Sequence, residues 1–443
     1  MNSPNIDANL KFDMFYHKIS TCVSTPAPCR KLSNHKIKLK SKPWITKTIL
    51  KKIKYRDKLY SKLLKNPTNL DLAYLFKKFR NNIVNDIRNG KIQHFKTFFN
   101  SNMNNMKKVW SGIRSIINIS KYKNTSIPRM LINNKSIDDP QTQSIANAFN
   151  TFFVNVGRST DKDIPKCNHS PSYYLYGNYP QAIFLRPVNP LETFTIIDHI
   201  NKNKSIDPNS IPIKLLKTLN NHTFISELLA VLVNDSFNSG IFQKKLKVAR
   251  ITPIFKKDST LNKNNYRPIS VLSVFSKIFE KLMYQRLYDY LEKYDILYNL
   301  QFGFRERMST SHALMSISEL IRKSIDSQEF GCGIFIDLKK AFDTVNHSNL
   351  LLKLQHYGIR GTANDWLKSY LSDREQFVTL DGHNSVLLPA TCGVPQGSVL
   401  GPLLFILYIN DLPNTSSILK FHLFADDTSI YYSSKNLKHL ETL

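Results

Sequence analysis

Apolar residues recur along this chain with two different spacings. From residue 43 to about 99 they fall three and four apart: Trp44, Ile45, Ile49, Ile53, Leu59, Tyr60 and Leu63, then Leu72, Leu75, Phe76, Phe79, Ile83 and Ile87. That period predicts two helices, joined at Asn66-Pro67-Thr68-Asn69 as an αα-hairpin, with Pro43 in a first turn that tolerates it. A shorter helix is predicted over 110–119, and another over 141–156, ended by Gly157. From Leu191 the texture changes to helices alternating with short strands. Phe275, Ile278, Phe279, Leu282, Met283, Leu287, Tyr290 and Leu291 trace one amphipathic helix, with Lys277, Lys281 and Arg286 expected to face outward. The most apolar run, 399–409, contains Gly401 and Pro402, is too short to span a bilayer and reads as a buried helix. Near the end, two strand-like runs, 418–423 and 428–432, flank Phe424-Ala425-Asp426-Asp427.

These textures divide the chain. Residues 1–42, rich in Ser, Asn, Pro and Lys, show no sustained period and are expected to be a disordered tether. A helical region, 43–160, is followed by a linker, 161–190, containing Pro and Tyr, and by mixed segments over 191–330 and 331–443. No repeat of fixed period is visible. The 443 residues can hold two or three domains, and 42% apolar content suffices for buried cores.

Charge narrows the reading. Lys and Arg number 62 against 33 Asp and Glu, a formal charge of +29 that points to a polyanionic partner. Part of the surplus lies in the 43–99 helices, as Lys47, Lys51, Lys52, Lys54, Arg56, Lys58 and Lys62. Such a face is either merely solvated or lies along a phosphate backbone. Tyr55, Tyr60 and Phe95 among these lysines are expected to be mostly core. The five cysteines are scattered, odd in number and without CxxC spacing, which suggests neither a disulfide framework nor a zinc site. A reducing intracellular compartment follows. The start, 1–18, is polar and has no signal-peptide core.

Candidate chemistry gathers around carboxylates. A β-rich run, 333–336, ends at Asp337 and leads into Leu338-Lys339-Lys340-Ala341-Phe342-Asp343. Adjacent Asp426 and Asp427 at a hairpin tip repel one another, and a divalent cation removes the penalty. If 333–336 pairs beside the 418–432 hairpin, three carboxylates converge. Hard oxygen donors suit two Mg²⁺ ions, with Mn²⁺ as a substitute, and such a pair serves in-line phosphoryl transfer. Upstream, Thr252-Pro253-Ile254-Phe255-Lys256-Lys257-Asp258 and Asn265-Tyr266-Arg267-Pro268-Ile269-Ser270 place cations on short strands, either to clamp a triphosphate or as a solvated basic loop. In Gly393-Val394-Pro395-Gln396-Gly397-Ser398, Gly397 permits close backbone approach, Gln396 offers an amide, and Ser398 can cap the following helix.

The order NYRPIS, QFGFR, FIDLKKAFD, GVPQGSVLGP and FADD resembles the reverse transcriptases of non-long-terminal-repeat retrotransposons, most of all the jockey-like branch. The likeness covers roughly 210–432, and Lys204-Ser205-Ile206-Asp207-Pro208-Asn209-Ser210-Ile211-Pro212 is similar to the motif that opens the family's domain. The resemblance implies an α+β fold: right-hand polymerase fingers over 191–330 and a palm with a short antiparallel sheet over 331–443, preceded by a basic α-helical connector. It implies RNA-directed DNA synthesis, with template RNA, primer DNA and deoxynucleoside triphosphates as partners, no membrane, and a place in cytoplasm and nucleus. By motif, Asp337, Asp426 and Asp427 would be the metal-binding catalytic carboxylates. Lys257 and Arg267 would face the triphosphate, with Lys256 the alternative to Lys257. Gln396 and Gly397 would line the nucleotide pocket, and Phe342 would close its floor against a ribose 2′-hydroxyl. Asp343 is expected to serve capping or packing, Gly303-Phe304-Arg305 to be a fingers element near the template, and Asp411 to form a turn.

The chain also departs from that family. Residues 1–42 carry none of the family's endonuclease clusters, and the sequence stops soon after FADD, so the expected thumb and primer grip are missing. What is present resembles the central slice of a larger polyprotein, a degenerate copy or a truncated gene model. Two other readings stay open at this point: a catalytically inactive RNA-binding remnant, and a group II intron maturase, which shares the polymerase motifs.

Overall fold

The computed structural model describes residues 7–24, 42–117, 129–132, 135–138, 142–162, 169–201, 213–220 and 223–441. The expected motif at 204–212 therefore lies outside the described residues. The chain forms two compact units, Pro26–Thr125 on one hand and Met1–Thr25 with Ser126–Leu443 on the other.

The first helix corrects the expected tether. α1 (Ala8–Ser24) places Phe12, Phe15 and Ile19 at helical spacing, and all three are buried. The Phe12 ring meets Phe275 and Phe279 edge-on at 6.1 and 5.9 Å, and Lys11 Nζ pairs with Asp235 at 2.8 Å. The apolar stripe is only about two turns long inside a polar segment, which hides it from composition. Residues 25–41 of the expected tether lie outside the described residues.

The smaller unit is the expected helical hairpin. α2 (Lys47–Lys65) begins after Thr46, whose hydroxyl accepts from Ile49 N at 3.3 Å, so Pro43 precedes the cap instead of sitting in the first turn. α3 (Leu70–Ser101) begins after Asn69, whose Oδ1 accepts from Leu72 N at 2.9 Å. The pairs Lys52–Asp86, Tyr55–Phe79 and Tyr60–Phe76 climb one helix while descending the other, so the two run antiparallel. Phe95 is buried as expected, whereas Tyr55 and Tyr60 rest half-exposed on the edges of the seam. α4 (Met106–Ile116) starts and stops a few residues before its expected bounds.

In the larger unit, β1 (Arg129–Ile132) and β2 (Lys135–Asp138) form a small antiparallel pair. α5 (Thr142–Lys162) runs through Gly157 instead of stopping there. A glycine inside a helix costs only about 1 kcal/mol, which packing outweighs. Ile145, Phe149 and Phe153 of α5 share a core with Ile251, Tyr266 and Val378. The expected 43–160 body is thus two structures: α2 to α4 form one unit and α5 belongs to the other.

α6 (Pro190–His199), α7 (Ile213–Asn220) and α8 (Phe224–Ser239) lead to β3 (Val248–Phe255), β4 (Tyr266–Val271), α9 (Val274–Lys293), α10 (Thr310–Asp326) and β5 (Phe330–Asp337). Then come α11 (His347–His356), α12 (Thr362–Leu371), β6 (Arg374–Leu380), β7 (His383–Asn384), β8 (Leu388–Ala390), α13 (Gly401–Tyr408), β9 (Lys420–Phe424), β10 (Asp427–Ser434) and α14 (Leu437–Glu441). One sheet has the order β4-β3-β6-β7, with β8 on β6 and with β3 parallel to β6. Residues 374–390 therefore join the sheet of 248–271, across the expected division at 330. The other sheet is antiparallel, β5-β10-β9.

Between the sheets' connections lies a large core around α9 and α13. The 399–409 run is the buried helix expected, with Leu403 to Leu407 almost wholly enclosed. α9 is buried on more sides than its amphipathic reading implies, and Arg286 does not face outward. Its guanidinium donates to Arg186 O (2.7 Å), Leu282 O (3.0 Å), Pro187 O (3.1 Å) and Glu192 Oε2 (3.0 Å), a set of acceptors that permits burial. Glu192 also closes a capping box with Asn189 at the start of α6.

Glu280, also on α9, is enclosed and ties this helix to the Gly393–Ser398 loop. Its Oε1 accepts from Ser276 Oγ at 2.8 Å, and its Oε2 accepts from Val399 N at 2.6 Å and Leu400 N at 3.3 Å. Ser398 Oγ accepts from Gly401 N at 2.9 Å, the capping expected of it. Burial pushes the Glu280 carboxyl above the ordinary range, opposed by Arg374 and these hydrogen bonds. Replacing Glu280 by Ala leaves two buried amides without an acceptor. It is expected to cost on the order of 3 kcal/mol in denaturant unfolding, with Glu280→Gln milder because one acceptor oxygen remains. Equal stability of the Ala variant and the parent chain would show that the anchor contributes nothing.

Candidate active site

The acidic tip is a two-residue hairpin. β9 and β10 pair with Phe424 opposite Asp427, so Ala425 and Asp426 make the turn. Ala425 takes φ +57°, at the position where type II′ hairpin turns favour glycine. On its other side β10 pairs with β5, and the ladder ends with Asp427 opposite Asp337. Directly opposed residues of an antiparallel pair point to the same face. Two carboxylates thus stand side by side at the strand ends, the expected pairing of 333–336 beside the hairpin. Asp337 and Asp426 also line one cavity of about 670 Å³. Among the described residues, no group of three or more His, Cys, Asp or Glu side chains already surrounds a single point. Asp337 and Asp426 supply hard oxygen donors at the edge of this crevice, the donor chemistry that Mg²⁺ takes together with water and phosphate oxygens, whereas Asp427 faces Asp337 across the ladder without being part of the lining.

Four cations share that cavity: Lys339 and Lys340, which follow Asp337 in sequence, and Lys256 and Arg267, and of the adjacent Lys256 and Lys257 only the first is there. Strand pairing explains which lysine is present. β3 and β4 are antiparallel, with Ile254 opposite Arg267 and Phe255 opposite Tyr266, and Lys256 N donates to Asn265 O at 2.8 Å. Alternation along β3 puts Lys256 on the face of Ile254 and Arg267. Lys257, the first expectation, is exposed and not part of the lining; the alternative, Lys256, is.

Phe342 and Gln396 complete the lining named from the sequence. The Phe342 ring stacks on Phe405 of α13 at 4.7 Å and meets Phe304 edge-on at 5.9 Å. Gln396 Nε2 donates to Asp343 Oδ1 at 3.0 Å, and Gln396 O accepts from Ser270 N at 2.7 Å. Asp343 therefore holds the glutamine in place, a packing role and not a helix cap. Burial pushes its carboxyl up to about 6, while the Gln396 amide and Lys340 pull it down. Gly397 permits close approach as expected, but to protein: at φ +112° a Cβ there would meet Ser270 O at 2.7 Å. Gly397 is not part of the cavity lining.

Three residues behave otherwise than their sequence suggested. Asp411 is buried and accepts from Lys353 Nζ, which also donates to Tyr408 O at 2.8 Å, so it anchors α11 to the end of α13 and is more than a turn former. Gly303 packs against Ala425 at the acidic turn. Gln301, the first residue of the QFGFR motif but given no role there, is buried beneath the same turn.

The family described as reverse transcriptase (RNA-dependent DNA polymerase) matches residues 254–443. The chain is 31% identical over 314 residues to a probable RNA-directed DNA polymerase from transposon BS of Drosophila melanogaster, covering 67% of this chain and 33% of that protein. It is 29% identical over 278 residues to the RNA-directed DNA polymerase from mobile element jockey of the same organism, covering 60% of this chain and 29% of that protein. The chain thus spans about a third of the length of these relatives. Among solved structures it is similar to apo telomerase from Candida tropicalis truncated from its C-terminal domain, at TM-score 0.32 and 13% identity, over 52% of this chain and 58% of that one. The matched segment holds the acidic hairpin, its partner strand, Lys256 and Arg267; it is a reverse transcriptase domain, and the relatives of this chain are RNA-directed DNA polymerases of non-long-terminal-repeat retrotransposons, the jockey element among them.

Proposed function

We propose that this chain carries the nucleotidyl-transfer site of an RNA-directed DNA polymerase, with Asp337, Asp426 and Asp427 as its metal-binding carboxylates. The observation that carries the reading is the ladder pairing Asp427 with Asp337, beside a cavity that Asp426 shares with Lys256, Arg267 and Phe342. Two Mg²⁺ ions held there would supply charge to the attacking 3′-oxygen and the leaving pyrophosphate. Lys256 and Arg267 hold the triphosphate from the opposite wall, Arg267 by a two-pronged contact that lysine cannot make. Phe342, fixed by Phe405, stands under the sugar, where a ribose 2′-hydroxyl would meet its ring. Gln396, fixed by Asp343, faces the nucleotide from the side. In this reading the β5-β10-β9 sheet is the palm, and β3 and β4 belong to the fingers.

Template RNA is the partner we propose for the smaller unit. Lys51, Lys54, Lys58, Lys62 and Lys65 follow one another at intervals of three and four along α2, and all are exposed. They make a single basic face with the reach of several phosphates. Among the described residues no helix is long and apolar enough to cross a membrane.

The metal reading is tested by titrating the chain with Mn²⁺ under electron paramagnetic resonance. Asp426→Asn is expected to weaken binding by more than roughly tenfold with the circular dichroism spectrum unchanged. An unaltered titration would remove Asp426 from the site.

Asp343 gives the pocket a pH dependence of stability. Its carboxyl moves from an ordinary 3.8 to about 6 in the fold, so it favours folding below the lower value and the contribution is lost as pH rises through the upper one. Asp343→Asn keeps an acceptor for Gln396 and does not ionise. Its melting temperature, relative to the parent chain, is expected to climb between pH 4 and 7, whereas parallel profiles would show that Asp343 ionises normally.

RNA binding is expected to be nearly independent of sequence and steeply dependent on salt. Each phosphate contact on a single strand contributes about −0.7 to the log–log slope, so about six contacts give roughly −4. Replacing the five α2 lysines with Gln should flatten that slope by about 3.5 in fluorescence anisotropy with unrelated RNAs. The same slope for both proteins would make the α2 face a solvated one only.

A further inference from the structure

The turn bearing Asp426 is held by a segment outside its own strands. Leu423 N donates to Leu300 O at 2.9 Å, and Phe302 N donates to Leu423 O at 2.8 Å, so 300–302 runs beside β9 as a short parallel bridge. Between these two bonds Gln301 turns its side chain under the hairpin tip, where it is only 1% exposed. Its Oε1 accepts from Ala425 N at 3.1 Å and from Gly303 N at 2.9 Å. The ladder pairs Phe424 with Asp427 and leaves the Ala425 amide beyond its last rung. Ala425 is buried, so that amide needs a partner from elsewhere, and one glutamine oxygen provides it. Gly303 then closes on the turn from the same side. A Cβ at 303 would stand 2.2 Å from Ala425 N and 2.8 Å from the Phe424 carbonyl carbon, so only glycine fits.

We propose that Gln301 is a positioning residue for the acidic turn. Its side-chain oxygen, with Gly303 packed behind it, fixes Ala425 in its positive-φ conformation and so sets the direction in which Asp426 enters the cavity it shares with Asp337. The loop over 300–303 thereby determines how tightly the carboxylates take a divalent cation. This rests on the reading of Asp426 as a metal-binding carboxylate. The strands on either side fix the ends of the turn, and an alanine at positive φ is a conformation that surroundings must enforce.

The test uses the full chain, Mn²⁺ alone as the probe, and amide hydrogen exchange at Ala425 without metal. Gln301→Met keeps the length of the side chain and removes the acceptor. It is expected to speed exchange of the Ala425 amide and to weaken Mn²⁺ binding roughly tenfold, as loss of outer partners of metal ligands does, at an unchanged circular dichroism spectrum. Gln301→Glu keeps an acceptor oxygen and should retain the slow exchange. Gly303→Ala, which presses on the same turn from behind, should weaken Mn²⁺ binding by a similar factor, and it reads the same quantity if the Met variant does not fold. Should either Gln301→Met or Gly303→Ala bind Mn²⁺ as the parent does while Asp426→Asn does not, Gln301 has no positioning role. A parent chain that takes up no Mn²⁺ overturns the metal reading itself, and the positioning role falls with it.

Discussion

The ladder between Phe330–Asp337 and Asp427–Ser434 fixes the position of the carboxylates, and the candidate site cannot exist without its register. A slip of one residue would send every side chain of one strand to the opposite face and separate Asp427 from Asp337. That register is costly at its last rung, where two like charges face each other. It is also held against local preference at the adjoining turn, where a non-glycine residue sits at φ +57°. Neither feature is accounted for by the stability of the hairpin alone. Both are explained if the strand ends are shaped by what binds between them.

Buried polar groups hold the parts around this ladder in place. Glu280 joins α9 to the loop before α13, Arg286 joins the same helix to 186–192, and Lys353 with Asp411 joins α11 to the end of α13. In each case a side chain from a helix satisfies a backbone group outside that helix. Such contacts add little net stability compared with apolar packing, since desolvation consumes most of the gain. They are directional, however, and an apolar contact is not. The Gln396 amide and the Phe342 ring both belong to segments without regular structure of their own or to a single short turn, and apolar packing alone would leave them free to slide.

Much of this was legible in the sequence, for reasons that can be named residue by residue. The α2–α3 hairpin and α9 each repeat their apolar period over several turns, and the strands around Asp426 are bounded by a polar tip. Local pattern suffices there. It fails where the outcome depends on distant partners. Val248 pairs with Glu375 in a parallel ladder that no local signal announces, so the division drawn at 330 cut through a sheet. Lys256 and Lys257 are equivalent by composition, and only the phase of β3 against β4 separates them. Arg286 looks like a solvent-facing cation until the acceptors of 186–192 surround it. α1 has its apolar stripe, but its two turns are too few to stand out from a polar segment. Gln301 opens the QFGFR motif, yet its role could not be read there, because it consists of two bonds, and the one to Ala425 comes from a strand pair formed far along the chain.

The cavity itself mixes signs in a way that constrains its ligand. Asp337 and Asp426 lie on the wall formed by the β5–β10 strand ends, and Lys256 and Arg267 lie on the wall formed by β3 and β4. A pocket of carboxylates alone would take a cation and repel a phosphate. A pocket of lysine and arginine alone would take a phosphate and exclude the metal. Lys339, Lys340 and Asp343 line the same cavity of about 670 Å³, so cations and carboxylates also occur together beside Asp337. A polyphosphate carrying divalent cations satisfies both at once, metal toward the aspartates and phosphate oxygens toward the basic strands. A lining that brings both signs together, more than any single residue in it, is what the proposed nucleoside triphosphate with its metal ions would require.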